Sequence, residues 1–496
     1  MKKTITILIL AIKIPALIAV IFFIYQLLQI KPCLSGYSLE KIDYCSTKLP
    51  LIKNILHQTN RFAKDENLNK IETLINTAES VLPYKNYLLG IGQSHPTTYL
   101  ILLQNHHELR TNGGFFGSYA VVTADNGRFT FRFQDIGVPD GQLNGHVEPP
   151  NPVQRAFGNG WFKLRDSDWE ADFEKTSTTI RWFLEKGQEI NPDILLTLSL
   201  FDIQKAISII GNFPVPEYNL DITPDNIYSL LQNEAEMNFF PGSTSKKDAL
   251  TATGKAFLTK LATTNLEQQL NLVYLFHTSL EKQNILINSQ SLLFQDYLRT
   301  QNWTGTLISP ETKPETLSDT LAVIETNMGA NKANCCLTRQ TTHIIGKDNN
   351  SVNHQITINY QNTSSLENPA PPRFYGGNYI NYLRFYLPAT AQNISLVATP
   401  TLPTTLATYP KPYPLESNLD INDKYGFTEV GFFHITKAGT DSSLTLSYTL
   451  PLANQISYEL KIMKQHGLES SPQTINLFDQ RLTTSLETDF QQKIDL

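Results

Sequence analysis

Apolar positions follow four different rhythms along the chain. From Thr4 to Ile30 they are nearly continuous, interrupted only by Lys13, Gln26 and Gln29. That run is 27 residues long, and a helix needs roughly 20 to cross a bilayer. Between residues 38 and 82 apolar side chains recur every three or four positions, the spacing of amphipathic helices, with Pro50 as an expected interruption. From 97 to 136 the pattern turns to strands: "TTYLILLQN", then "FFGSYAVVTA" and "RFTFRFQDI" on either side of "DNG", which predicts a two-residue hairpin at Asp125–Gly127. A connection rich in Gly, Pro and Asn follows, too long for a routine loop.

Helical and strand-like segments then alternate. "DWEADFEKTSTTIRWFLEKG", "FDIQKAISIIG", "TPDNIYSLLQNEAEM" and "SKKDALTATGKAFLTKLATTNLEQQLNLVYLFHTSLEKQ" read as helices and "PDILLTLSL" as a strand. From about residue 321 the texture is short alternating runs, among them "HQITINYQN", "NYINYLRFYLP" and "SSLTLSYTLP", parted by Pro, Gly, Asn and Ser. The expected fold class is α/β: a transmembrane helix and helical stalk, an α/β layered domain with a mixed sheet, and a C-terminal immunoglobulin-like β-sandwich. The corresponding spans are 1–31, 32–83, 84–320 and 321–496.

Charge and cysteine content narrow the compartment. Lys2 and Lys3 precede the apolar run, which predicts a cytoplasmic N-terminus and a single-pass anchor in the cell membrane. No small-x-small cleavage site follows the run, so an uncleaved anchor is expected, with the rest of the chain outside. Removing Lys2, Lys3 and Lys13 leaves 37 basic and 46 acidic residues, and 37 − 46 = −9. A net negative outer portion without a long basic run excludes nucleic acid as a natural partner. Cys33 and Cys45 are spaced so that they could bridge in an oxidising compartment. The adjacent Cys335 and Cys336 read as small half-buried strand residues.

The candidate chemistry concentrates where the strand "YLILL" runs into "QNHHELRTNGG". Arg110 offers a planar fork that binds phosphate or carboxylate. Glu108 lies beside it, and Gly113 and Gly114 would let backbone N–H groups approach an anion. Two readings stand: a phosphate clamp, or an internal ion pair between Arg110 and Glu108 that pins a strand end. Asp135 and Asp140, on the long connection, are of the type that holds magnesium together with phosphate, and also of the type that makes turns unaided. Lys246 and Lys247 in "SKKD", with Arg155, are the basic residues that would complete an anion site. "HHEL" is not a zinc-protease helix, because the second histidine would fall on Thr111. "RDSDWEADFE" lacks the glycine and the final glutamate of a calcium loop and reads as an acid-rich helix start. No hydrolase elbow, phosphate-binding loop or dinucleotide fingerprint is present in the sequence.

Together, "YLILLQNHHELRTNGGFFGSYAVVTADNGRFTF", "RDSDWEADF", "INPDILLTLS", "ETNMGANKAN", "NYINYLRFYLP" and "YELKIMKQHG" resemble the bacterial domain-of-unknown-function family 4012, in order from about residue 80 to 468. The resemblance implies a membrane-anchored envelope protein and supplies no activity. The order of elements also resembles the LytR-CpsA-Psr family, which moves glycopolymers from polyprenyl-pyrophosphate carriers to the cell wall. That resemblance implies a phosphotransferase with Arg110 and Asp135 as catalytic residues and Asp135 and Asp140 on magnesium. It also implies Lys246 and Lys247 as the basic motif around a lipid-linked glycan or cell-wall polymer, to which the residue chemistry adds Glu108, Gly113, Gly114 and Asp140. The sequence departs from it at Arg110-Thr111-Asn112, where that family has Arg-x-Asp, and at "FQDIGVPD". The competing expectation is a non-enzymatic surface module, in which the Glu–Arg knot is structural and the β-sandwich binds protein or glycan.

Overall fold

The computed structural model describes residues 39–63, 66–157, 160–236, 245–310, 313–367, 375–399 and 419–496. The expected anchor and Cys33 lie outside them. Among the described residues no helix is long and apolar enough to cross a membrane. The chain divides into two compact units. The smaller contains the residues up to Thr97 with Ala124–Phe129, and the larger contains Thr98–Thr123 with Thr130–Leu496.

In the smaller unit, α1 (Leu39–Ala63) and α2 (Glu66–Val81) form an antiparallel hairpin, followed by the short α3 (Lys85–Leu88). Lys53 pairs with Glu79 at 3.0 Å and His57 with Glu72 at 3.3 Å, which fixes the direction of the pairing. The expected break at Pro50 does not occur; Pro50 sits inside α1. It removes one N–H from the helical ladder, while the hydroxyls of Ser46 and Thr47 donate to the carbonyls of Asp43 and Tyr44 (both 2.7 Å) in the preceding turn. Cys45, on α1, is disulfide-bonded.

The larger unit is built on a mixed five-stranded sheet. Its strands are β1 (Thr97–Arg110), β2 (Gly113–Asp125), β3 (Arg128–Asp135), β4 (Ile194–Ser199) and, after the small β5 (Phe213–Val215) and β6 (Leu220–Ile222) pair, β7 (Ile287–Ser289). The order is β3-β2-β1-β4-β7, with β1 parallel to β4 and β4 antiparallel to β7. Asn126 and Gly127 both have positive φ (47° and 76°), the conformation that closes the expected two-residue hairpin. The long connection is not structureless: it holds α4 (Gly137–Gln142) and α5 (Asn151–Phe157). Six further helices follow: α6 (Phe173–Lys186), α7 (Leu200–Ile210), α8 (Ile227–Glu236), α9 (Ser245–Leu261), α10 (Leu266–Glu281) and α11 (Leu292–Thr300). The first of these starts later than the acid-rich sequence suggests, because Asp172 is its N-cap, accepting from the N–H of Lys175 at 3.1 Å.

Side chains alternate across the sheet, and each face has its own partner. Leu100, Leu102, Tyr119 and Val121 belong to a core shared with α6 and with Tyr382 and Phe433 of the C-terminal strands. Ile101, Leu103, Ala120 and Val122 face the other way, toward α7–α10.

The C-terminal region consists of two six-stranded sheets. One has the order β12-β15-β10-β9-β17-β18 and the other β13-β14-β11-β8-β16-β19. The strands are β8 (Thr316–Asn327), β9 (Leu337–Lys347), β10 (Ser351–Asn362), β11 (Tyr379–Pro388), β12 (Gln392–Ala398), β13 (Asp420–Lys424), β14 (Phe427–Thr436), β15 (Thr440–Pro451), β16 (Ser457–Met463), β17 (Pro472–Leu477), β18 (Gln480–Ser485) and β19 (Phe490–Asp495). Inward residues of both sheets, Ile356, Leu446, Leu383 and Leu460 among them, share one core. Two pairings are parallel, β16 with β8 and β17 with β9. Cys335 and Cys336 are free and half-buried, but they lie in a 3-10 turn before β9 rather than in a strand.

The junction between the α/β sheet and the C-terminal sheets includes a close backbone contact between Gly113 and Gly467. Gly467 has φ +79°, and a Cβ there would lie 2.5 Å from the Cα of Gly113. Gly467→Ala is therefore expected to destabilise the full chain by about 2–4 kcal/mol. Gly346→Ala, where a Cβ meets nothing within 4 Å, should stay within about 0.5 kcal/mol. Urea unfolding of the two variants checks this.

Candidate functional site

The polar knot at the end of β1 is closed on itself. Arg110 donates to Glu108 Oε1 at 2.8 Å and to the carbonyl of Asn327 on β8, and both charged side chains are buried. The second carboxylate oxygen of Glu108 lies 3.5 Å from Lys332 Nζ. Next along the chain, the Thr111 hydroxyl meets Thr326 (3.2 Å) and receives a hydrogen bond from the fully buried Arg384 at 2.8 Å. Arg384 also donates to the carbonyl of Trp169 (2.9 Å) and lies over its ring. Asn112 donates through its backbone and its amide to Asp168 Oδ1, at 3.0 and 2.7 Å. Burial pushes the Asp168 carboxyl up to about 6. Gln465, from beyond β16, donates to the carbonyl of Glu325 (2.7 Å) and accepts from its N–H (2.9 Å).

The adjacent glycines accommodate protein rather than an anion. A Cβ on Gly113 would fall 2.2 Å from the Gln104 side chain, and one on Gly114 would fall 2.3 Å from the Asn105 backbone. Of the two readings of Arg110, the internal ion pair describes the observed contacts. His106 is buried against Phe201 with its rings stacked at 3.2 Å, and burial lowers its pKa to about 2, so it is neutral. His107 packs edge-on against Tyr228 at 5.0 Å.

The other expected residues separate into two places. Asp140 is buried between α4 and the following segment, accepting from Leu164 N–H (2.8 Å) and from Arg165 Nε (2.6 Å). Asp135 accepts from Gly137 N–H at 2.7 Å and pairs with Lys246 at 2.8 Å. All four oxygens of the two aspartates are thus engaged by N–H or ammonium groups. Among the described residues no group of three His, Cys, Asp or Glu could hold a metal ion. The donor set expected for magnesium does not fit. Lys247 is exposed on the first turn of α9, and Arg155 pairs with Asp420 at 3.6 Å.

Lys246 marks the polar end of a larger space. Between the sheet and α7–α10 lies a cavity of about 320 Å³ lined almost wholly by hydrocarbon, including Ile101, Val122, Phe133, Leu198, Phe257 and Leu275. It shares Leu103, Ile203, Leu231 and Leu250 with a second cavity of about 250 Å³. The lining of the second also includes Gln104, Asn105, Ser118, Tyr228, Lys246 and Lys332. Lys246 Nζ donates to the carbonyl of Gly117 at 2.6 Å as well as pairing with Asp135. The buried Ser118 hydroxyl has no hydrogen-bond partner among the described residues. Sequence reasoning did not single out Lys332, Ser118 or the apolar space behind them. One signal was there: Lys332 lies within "ETNMGANKAN", a string that carries the family resemblance.

Residues 94–235 match a family model described as protein of unknown function (DUF4012), so the chain carries a domain of that family over this span. That is shorter than the stretch from 80 to 468 over which resembling strings occur. No curated protein matches the chain. Among solved structures, Bacillus subtilis TagV is similar at 12% identity and TM-score 0.27, over 43% of this chain and 82% of that one. A Streptococcus agalactiae protein is similar at 14% identity and TM-score 0.27, over 44% and 79%. A Legionella pneumophila protein described as nutrient binding is similar at 5% identity and TM-score 0.21, over 32% of this chain and 54% of that one, so the chain spans about half of its length. Overlaps at this level carry no argument about chemistry, which rests on the side chains above.

Two expectations follow from the knot. Arg110→Ala strands a buried carboxylate and should cost about 3–5 kcal/mol, whereas Glu108→Gln combined with Arg110→Met should recover most of that loss, both read by urea unfolding. The Asp168 carboxyl, raised from 3.8 to about 6, holds a proton in the folded state that the unfolded chain releases. Its contribution is complete below pH 3.8 and is lost as pH rises through 6. Asp168→Asn should therefore gain stability relative to the parent between these pH values and hold a constant advantage above them.

Proposed function

We propose that the larger unit binds an amphiphile with a long apolar chain and an anionic headgroup, of the class of polyprenyl-phosphate-linked glycan precursors. The chain would occupy the hydrocarbon-lined cavity, and the phosphate would sit at the polar end beside Lys246 and Lys332. The observation that carries this reading is that the apolar cavity shares Leu103, Ile203, Leu231 and Leu250 with a second cavity whose lining includes Lys246 and Lys332. Protein interiors leave few voids larger than a water molecule, and the apolar cavity is within the roughly 300–1,000 Å³ range of small-molecule sites. Its hydrocarbon lining selects an apolar occupant. Lys246 and Lys332, each paired with a carboxylate, would add a phosphate as a further partner of their ammonium groups.

Arg110 then acts as a positioning residue. Its pair with Glu108 leaves the second carboxylate oxygen facing Lys332, so the knot holds one of the two headgroup lysines in place. If glycopolymer transfer follows binding, Asp135, which pairs with the cavity-lining Lys246, would be the carboxylate to carry it; Asp140 is committed to the interior. The apolar run at residues 4–30 would tether this unit to the outer face of the cell membrane. The closed Glu108–Arg110 pair also favours a second reading, a non-enzymatic carrier with an immunoglobulin-like β-sandwich contacting protein or glycan. Both readings share the lipid site.

Calorimetry of the full chain in detergent, titrated with a C15 isoprenyl phosphate, tests the shared claim. Ala206, which lines the apolar cavity, becomes a plug as Ala206→Trp: affinity should fall at least about tenfold with melting temperature little changed. Lys246→Ala should weaken the phosphate by about tenfold and leave the parent isoprenyl alcohol unaffected. Tight binding indifferent to both substitutions would contradict the assignment.

A further inference from the structure

The apolar cavity reaches solvent through an apolar rim. Phe131 on β3 and Phe276 on α10 both line it, yet are 48% and 44% exposed. On α10 the exposure continues: Val273 is 54% and Leu266 49% exposed. Residues 266, 273 and 276 fall on one stripe of a helix with 3.6 residues per turn. The neighbouring stripe, Leu272, Leu275 and Ser279, lines the cavity. The helix is therefore apolar on the side that encloses the cavity and again on a side that faces water, and Phe276 joins the two. Single exposed apolar residues are ordinary. Several in register beside the mouth of an apolar cavity form a surface that water disfavours.

We propose that this rim, Phe131 with the Leu266–Val273–Phe276 stripe of α10, docks into the hydrocarbon–headgroup boundary of a bilayer, so that a lipid chain passes from membrane to cavity without crossing water. The inference rests on the lipid reading of the cavity. Two observations select a bilayer over a protein partner. The rim is continuous with a space lined by hydrocarbon, so whatever covers the one borders the contents of the other. The same chain also carries a 27-residue apolar run at Thr4–Ile30, long enough to keep it at a membrane. The portion beyond that run is net negative, 37 − 46 = −9, which leaves apolar insertion rather than attraction to anionic lipids as the docking force.

The test uses the full chain reconstituted in phosphatidylcholine vesicles whose acyl chains carry bromine, which quenches tryptophan at the boundary. Val273→Trp places a reporter on the rim, and Leu293→Trp places one at a site on α11 that is 76% exposed and does not line the cavity. The emission added over the parent should be quenched at least twofold for Val273→Trp and little for Leu293→Trp, and 0.5 M salt should not change the result. Equal quenching at the two positions, or rim quenching abolished by salt, would overturn the proposal. The isoprenyl phosphate titration in detergent reports separately on the cavity: binding there without rim quenching removes the membrane contact and leaves the lipid site standing.

Discussion

The guanidinium of Arg110 and the carboxylate of Glu108 lie together in an interior where either charge alone would be prohibitively costly. Once the pair forms, its remaining hydrogen-bonding capacity must also be met. Arg110 meets it at the carbonyl of Asn327, on a strand more than two hundred residues away, and Glu108 meets it at Lys332. The end of β1 is thereby fixed against β8. The rest of the junction follows: Thr111 against Thr326 and Arg384, Asn112 against Asp168, and Gly113 against the backbone of Gly467. A pair of buried charges is a poor source of net stability, but it tolerates few alternative arrangements. Here it specifies which strand of the C-terminal sheets meets the α/β sheet, and where.

That constraint also positions the cavity. Just before the knot on β1, Leu103 lines both cavities and Gln104 and Asn105 line the second. Because strand side chains alternate, Leu100 and Leu102 point into the shared core while Ile101 and Leu103 line the cavity. One strand thus serves two purposes through its two faces. Its inner face ties the α/β sheet to the C-terminal strands, and its outer face, with β2 and α7–α10, encloses the space for a ligand. The charged knot lies beside that space and holds Lys332 at its polar end without itself lining it.

Much of this was legible from local pattern. The Asp125–Gly127 hairpin, the strands beginning at 97 and near 194, the helix near residue 200 and the alternating strands after about residue 321 all follow from periodicity and turn chemistry, whereas β1 runs on through the polar knot to Arg110 and β8 begins at Thr316. The misses share a physical cause: they depend on contacts between residues far apart in sequence. Pro50 reads as a break, yet its helix continues within a hairpin held by partners on α2. Gly113 and Gly114 read as an anion cradle because glycine signals close approach without saying what approaches; here it is Gln104, Asn105 and Gly467. Asp168 reads as part of an acid-rich helix start, whereas Asn112 takes it into the interior. Asp135 and Asp140 look alike in sequence, but Asp135 pairs with the cavity-lining Lys246 and Asp140 with Arg165. The cavity itself could not be read from the pattern, since apolar residues lining a space repeat with the same period as those filling a core.

Hydrogen–deuterium exchange of the full chain, with and without a saturating C15 isoprenyl phosphate, tests most directly the division between a cavity that binds and a knot that holds. Protection is expected to rise in α7, α9 and α10 and to stay unchanged at Asn327–Lys332 and in the 465–467 segment, which should already exchange slowly. New protection centred on residues 108–114 and 325–334, with α7, α9 and α10 unaffected, would contradict the account and return Arg110 to the binding site.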